Sequence, residues 1–549
     1  MSSRLPNHGR LIDRTRRIGF SFNGKPLAGH PGDTLASALL ANDQMMVGRS
    51  FKYHRPRGIV ASGAEEPNAL MNMGQGGGFE PNQRATTTEL FDGLLARSQN
   101  HWPSLEFDVG AINKYLSRFL PAGFYYKMFM YPRAFWKHVY EPFIRQSAGL
   151  GQAPKDRDKD SYEHFYTFVD VLVIGGGIAG LQAAKVAADS GARVLVLEQT
   201  AHWGGRAPVD GGQIAGATVE QTIEKIVAEL EAMDNVTLRT RTMGAGVYDH
   251  GYVLGYERLT DHLPLADGPR HRLWRIRAAQ VVTATGAIER PLSFAGNDVP
   301  GVMLASAMRD YVVNYGVAVG QRIVVATNND DAYRTAITLK QAGVDVLRIL
   351  DARGRGGGPL MEEARALGIR IDCGRAVGKV SGGKRVARAM ICAQDGTGGA
   401  LEEIECDAVA MSGGWSPVVH LWSHCGGKLI WDEDQAHFRP DPARAPTGSD
   451  GKSFVTVVGS ANGVMSLDAG LKDATDAGKA AAKAAGFKPK RTAAPKADPV
   501  HEEPLEAVWL MPREADTSLR AKSWLDFQND VKVSDVQLAA REGFESVEH

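Results

Sequence analysis

Short stretches of alternation and longer apolar runs divide the chain. Ile18–Asn23 alternates apolar and polar positions and predicts a strand, and Thr34–Ala41 (TLASALLA) predicts a short helix. Val169–Ile174 is an apolar run broken only by Asp170, the pattern of a parallel strand buried on both faces. A helix with apolar periodicity follows it, and then a second strand, Arg193–Leu197. Further strands are predicted at 280–286 (QVVTATG), Arg322–Ala326, Val344–Leu350 and 454–463 (FVTVVGSANG), the last running into an Ala-rich helix. Gly74–Gly78 marks a loop, Asp156–Asp160 a charged linker, and 488–504 (KPKRTAAPKADPVHEEP) an exposed linker. Residues 100–150 carry Trp102, Phe107, Tyr115, Phe119, Phe124, Tyr125, Tyr126, Phe129, Tyr131, Phe135 and Trp136, and read as an arm. It would pack either on the chain's own body or on a partner.

Composition narrows the class. The 549 residues are 43% hydrophobic and 23% charged, which excludes a mainly disordered chain and leaves room for three to four domains. The formal net charge is zero, although residues 1–60 hold ten Lys and Arg against Asp13, Asp33 and Asp43. A zero balance offers no general attraction to nucleic acid or an anionic membrane, so neither is expected as a partner. Cys373, Cys392, Cys406 and Cys425 stand 19, 14 and 19 residues apart. That spacing argues against a zinc ribbon, a cysteine-held cluster and a dithiol redox pair. No run of 18 apolar residues occurs. Arg16-Arg17 ahead of Phe20 resembles a twin-arginine signal, but Lys25, His30 and Asp33 stand where its apolar region belongs, so a cytoplasmic location is expected.

The chemistry concentrates in Val169–Glu198. Gly175, Gly177 and Gly180 follow a strand and open a helix, and the next strand ends in Glu198, 23 positions after Gly175. Gly175 permits the tight turn, Gly177 lets backbone N–H groups approach a pyrophosphate, and Gly180 lets helix and strand pack closely. A carboxylate at Glu198 suits an unphosphorylated ribose, so NAD or FAD is expected rather than NADP. Gly204-Gly205-Arg206, Thr285-Gly286 and Gly459 follow later strands. Together these resemble the α/β two-dinucleotide-domain fold of the glutathione-reductase type. The inserted second domain lacks its glycine loop: 326–336 reads ATNNDDAYRTA, with Asp330 and Asp331 where a pyrophosphate would sit. Two carboxylates there would repel a dianion and side chains would block backbone approach, so this second site is expected to be dead. Without it and without a C-x-x-C, the chain has no evident internal electron path. No catalytic residue and no metal ligand set is expected.

Several strings resemble the α subunits of heterotetrameric sarcosine oxidases: Phe51–Leu70, Tyr248–Val253, Ala284–Leu292, Thr327–Thr335, Ser412–Trp422 and Asp526–Val531. The resemblance implies a β-grasp, ferredoxin-like domain over 15–97, an aromatic arm over 98–160, and a first dinucleotide domain over 161–299 and 416–487. It also implies a degenerate second domain over 300–415, a linker over 488–504, and the start of a truncated folate-binding domain over 505–549. Cluster-bearing relatives read C-x-G-x-x-C-x-x-C where this chain has Ala61, Gly63, Glu66 and Ala69, so the β-grasp domain would lack its cluster. Lys52, His54, Arg55 and Arg57 before that loop suit a flavin phosphate, a partner carboxylate or a solvated face. The cofactor-binding residues implied are Gly175, Gly177, Ala179, Gly180, Glu198, Gln199, Gly205, Thr285, Gly286, Gly459 and Ala461, holding NAD that takes no redox part. FAD and FMN would be carried on or at a β subunit, with γ and δ subunits completing the assembly. That assembly would demethylate sarcosine to glycine and pass the one-carbon unit to tetrahydrofolate. Alternatives are the α subunit of a related amine, opine or proline oxidoreductase, or a stand-alone FAD enzyme. The apolar side chains of 505–549 would lack a partner without the folate domain, leaving that segment the least protected of the chain.

Overall fold

The computed structural model describes residues 3–116, 129–147, 151–263, 266–397, 399–513 and 522–546. The chain divides into two compact units, residues 1–159, 290–414 and 505–549 in one and 160–289 and 415–504 in the other.

The first unit begins with a β-grasp sheet. Strand Ile18–Phe22 pairs antiparallel with Lys25–Gly29 and parallel with Leu94–Ser98, and Leu70–Met73 and Glu80–Arg84 complete five strands. The alternation of Ile18, Phe20 and Phe22 buries one face. Helix Leu35–Ala41 starts where Thr34 accepts the Ser37 N–H in a capping box, and every one of its residues is buried. The inserted domain is a parallel sheet in the order Val302–Leu304, Ala408–Ser412, Arg322–Thr327, Asp345–Asp351 and Ile371–Cys373, with a three-stranded antiparallel sheet beside it in sequence.

The end of the chain departs from expectation. Trp524–Asp526 and Val531–Lys532 pair as a hairpin, and Val508, Met511, Trp524 and Phe527 are buried in the same core as the β-grasp and inserted domains. These four side chains therefore have a partner within the chain, which corrects the expected lack of one. Among the described large apolar side chains of 505–549, Leu525, Val536, Leu538 and Phe544 stay exposed. The reason is charge. Asp530 accepts Arg55 Nε at 2.6 Å and the N–H groups of Lys52 and Tyr53 at 2.7 and 3.2 Å. Arg55 also meets Asp298 at 2.7 Å and stacks on Trp524 at 3.8 Å, and Arg57 donates to the Phe527 and Gln528 carbonyls. His54 pairs with Asp108 at 2.7 Å. His54, Arg55 and Arg57 are thus buried against groups of this chain rather than solvated or open to a flavin phosphate. The arm behaves differently: Trp102, Phe107, Tyr115, Tyr131, Phe135 and Phe143 are exposed, Tyr115 by 83% and Tyr131 by 86%. Phe119, Phe124, Tyr125 and Tyr126 lie outside the described residues.

The second unit is a seven-stranded sheet. Val236–Arg239, Val194–Leu197, Tyr162–Ile174 and His271–Thr283 run parallel, Val455–Val457 pairs with the end of His271–Thr283, and Tyr252–Arg258 and Thr242–Tyr248 add an antiparallel meander. The first strand has 13 residues, longer than the apolar run that announced it. Its front half pairs with His271–Ala278 and carries the exposed Phe165, Tyr166 and Phe168; only Val171–Ile174 also pair with Val194–Leu197 and are buried. Helices Ile178–Asp189, Val219–Glu231 and Leu467–Ala484 cover one face. A Cβ on Gly478 would meet the Ala183 carbonyl at 2.6 Å, so that glycine lets two of the helices approach. Among the described residues, no helix is long and apolar enough to cross a membrane.

Candidate functional site

The glycine loop joins strand Tyr162–Ile174 to helix Ile178–Asp189. Gly175 sits at φ +110°, and a Cβ on it would lie 2.2 Å from the Ala284 carbonyl oxygen. A Cβ on Gly180 would lie 1.9 Å from the Gly175 oxygen. Both positions demand glycine for packing. Gly177 differs: it is the N-cap of the helix, extended, and a Cβ there would meet nothing within 4 Å. The positive end of a 12-residue helix therefore opens on free space at Gly177, the arrangement that receives an anion.

Glu198 ends the neighbouring strand and is buried. Its Oε2 accepts the Gly176 N–H at 2.8 Å, and its Oε1 accepts the N–H and the hydroxyl of Thr200, each at 2.8 Å. Burial raises its pKa, against the pull of these donors. Glu198 thus braces the loop, a role that sequence reasoning missed because Gly176 is not one of the motif glycines. The Gly204-Gly205 turn is drawn onto the same loop: the Gly204 N–H donates to the Gly176 carbonyl at 2.8 Å, and a Cβ on Gly205 would lie 3.1 Å from the Gly177 Cα. Trp203 was not anticipated; its ring lies so close that a Cβ on Gly176 would meet it at 2.4 Å. Gly459, at φ +63°, approaches Ala179, whose Cβ would be 2.9 Å from a Cβ at that glycine. The Gly459 N–H is held by Asp473 at 2.8 Å.

The structure therefore gathers Gly175, Gly177, Ala179, Gly180, Glu198, Gly205 and Gly459 around one loop. Thr285 and Gly286 follow Ala284, which abuts Gly175; the Thr285 hydroxyl donates to the Val418 carbonyl at 2.7 Å and the Gly286 carbonyl accepts the Val418 N–H at 2.9 Å. Gln199 is exposed and its carbonyl accepts from Arg258 at 3.1 Å, while Ala461 is fully buried in the core beside Trp422 and Phe454. A small residue at 461 is thus required by packing.

The corresponding loop of the inserted domain is filled. Asp330, the buried N-cap of helix Asp331–Gln341, meets Arg353 at 2.6 Å, and Arg353 also meets Asp351 at 2.8 Å. Tyr333 donates to Asp351 at 2.7 Å, and Asp331 pairs with the buried Arg309 at 3.1 Å. The Asn328 amide donates to the carbonyls of Glu506 and Val508 at 2.8 and 3.0 Å. Both carboxylates are neutralised by arginines. The expected repulsion of a dianion is corrected, because each carboxylate is met by an arginine of this chain.

An α/β sheet with a glycine loop at the N-terminus of its first helix defines a dinucleotide-binding fold. A pyridine nucleotide-disulphide oxidoreductase family profile matches residues 169–434, a 2Fe-2S iron-sulfur cluster binding domain matches 15–101, and a sarcosine oxidase A3 domain matches 520–549. Sarcosine oxidase subunit alpha of Rhizobium meliloti (strain 1021) is 44% identical over 100% of this chain and 53% of its own length. The protein of the same name from Corynebacterium sp. (strain P-1) is 36% identical over 98% of this chain and 51% of its length. The solved L-proline dehydrogenase from P. horikoshii shares the fold, with a TM-score of 0.63 and 20% identity over 97% of this chain and 87% of that one. The chain belongs to the sarcosine oxidase α-subunit family, and it spans about half the length of the curated relatives it matches. The residues do not fit a 2Fe-2S cluster: no cysteine precedes Cys373, and the matching loop carries Ala61, Glu66 and Ala69.

Proposed function

We propose that this chain is the nucleotide-binding and scaffolding part of a sarcosine oxidase α subunit, holding NAD at Gly175, Gly177, Gly180 and Glu198. The observation that carries this reading is the open space over Gly177 in one dinucleotide fold beside the filled loop of the other. One nucleotide is accommodated, and the two-nucleotide relay of a disulphide reductase has no second seat. NAD here is structural, and the redox chemistry belongs to FAD and FMN on or at a β subunit, with γ and δ subunits completing the complex. That complex demethylates sarcosine to glycine and passes the one-carbon unit to tetrahydrofolate. The exposed aromatic arm supports a subunit role, because a segment with this many exposed rings suits a contact surface.

Nucleotide released from the denatured, purified chain and identified by mass spectrometry tests the reading. NAD near one equivalent is the expected result. FAD in its place, with a flavin absorbance band, overturns it in favour of a self-sufficient flavoenzyme.

A further inference from the structure

The loop that carries a cluster in ferredoxin-like relatives is kept here without cysteines. Gly63 retains the motif's glycine, and Glu66 stands in a ligand position, as do Ala61 and Ala69. Glu66 is 1% exposed. Its Oε2 accepts the N–H groups of Val60 and Ala61 at 2.8 and 2.7 Å, and its Oε1 accepts those of Asn68 and Ala69 at 2.7 and 3.0 Å. Four inward backbone donors converge on one side chain, and two of them belong to the other former ligand positions. Buried N–H groups require acceptors, and in a cluster loop the sulfurs take such bonds. A carboxylate has about four lone-pair sites, so one side chain satisfies the whole ring.

The outer face of the loop is used as well. The Ala61 carbonyl accepts the hydroxyl of the buried Tyr311 at 3.0 Å, and the Val60 carbonyl accepts the Leu304 N–H at 2.9 Å. The Gly63 carbonyl accepts the Thr86 hydroxyl at 2.7 Å. The shape that Glu66 imposes on the loop therefore also sets the seat of helix Ala305–Tyr315 within the same unit.

We propose that Glu66 is an internal ligand standing in for the inorganic cluster, and that the same ring of N–H groups binds a small carboxylate when this side chain is removed. The β-grasp domain then needs no iron to hold its loop or its seat on the inserted domain. Asp330 offers a parallel, a buried carboxylate at a helix N-terminus where the fold's relatives place a phosphate.

Hydrogen exchange of the intact chain tests the proposal, with formate as the probe. Burial pushes the Glu66 carboxyl up to about 7 against the pull of the four N–H groups, so exchange is read at pH 8, where it is ionised. The peptide covering residues 59–70 is expected to exchange as slowly as strand Arg322–Thr327. In Glu66→Ala it exchanges roughly a hundredfold faster. Excess formate restores protection, and the neutral isostere formamide does not. A loop that exchanges at once in the parent protein, or a variant indifferent to formate, overturns the proposal. If Glu66→Ala gives no soluble chain, Glu66→Asp and Glu66→Gln carry the test. The aspartate, which keeps the carboxylate, is expected to protect the loop better than the glutamine, whose amide turns two hydrogens toward two of the donors. Equal protection in the two overturns the proposal.

Discussion

Gly177→Val separates nucleotide binding from folding. A Cβ at Gly177 meets nothing within 4 Å, so the valine creates no clash in the folded chain. Its penalty is that of a poor N-cap in place of a tolerated one, about 1 kcal/mol. In the bound state the same side chain stands where backbone donors of helix Ile178–Asp189 face the pyrophosphate. Losing two charge-assisted hydrogen bonds at about 1.5–3 kcal/mol each removes about 3–6 kcal/mol, or roughly two to four orders of magnitude in Kd. Gly180→Ala is the structural counterpart. Its Cβ would lie 1.9 Å from a backbone oxygen that cannot yield, so it destabilises by about 1–3 kcal/mol or more even without nucleotide. Thermal unfolding with and without NAD reads both. The parent chain is stabilised by about 2.7 kcal/mol at a hundred times Kd, Gly177→Val unfolds near the nucleotide-free parent and does not respond, and Gly180→Ala unfolds early in either condition. If Gly177→Val copurifies with stoichiometric NAD, the loop has been assigned wrongly.

Three further outcomes are expected. Glu198→Gln weakens NAD binding by about 1–3 kcal/mol and also lowers stability, because its amide turns a donor toward the Gly176 or Thr200 N–H; an unchanged Kd with lowered stability would restrict Glu198 to bracing the loop. Asp530→Ala leaves Arg55 with Asp298 as its remaining carboxylate and takes the acceptor from the Lys52 and Tyr53 N–H groups, destabilising the first unit by about 1–3 kcal/mol in denaturant unfolding. Burial pushes the Asp530 carboxyl up, but Arg55 and Arg57 pull it further down, so its folded pKa lies below the ordinary value. Its contribution is then present above the unfolded pKa near 3.8 and lost as pH falls through the folded one, which Trp524 fluorescence follows as the hairpin releases. Ending the chain near residue 490 strips Val508, Met511, Trp524 and Phe527 from the core at about 1.5–3 kcal/mol each; a truncated chain of undiminished thermal stability would contradict that packing.

The spacing of Gly175, Gly177 and Gly180 between a strand and a helix was legible because each glycine answers a local backbone demand: a positive φ, an open N-cap, a close helix. The absence of that pattern at 326–336 was legible for the same reason, whereas the missing cysteines at 61, 66 and 69 were legible only through the family resemblance. Partners were not legible. Composition shows that Arg55 and Asp530 are charged, but not that they meet across 475 positions of sequence. The same holds for Arg353 and Asp330, for Glu198 and the Gly176 N–H, and for Glu66 and its four backbone donors. A carboxylate read along the chain is equally a solvated charge, a repulsive one or a ligand. Burial decides among these, because a desolvated charge persists only where donors or an opposite charge surround it. Local geometry set where a nucleotide could bind; burial of carboxylates, against a distant arginine at Asp330 and against neighbouring backbone N–H groups at Glu66, filled the inserted domain's loop and the cysteine-free loop.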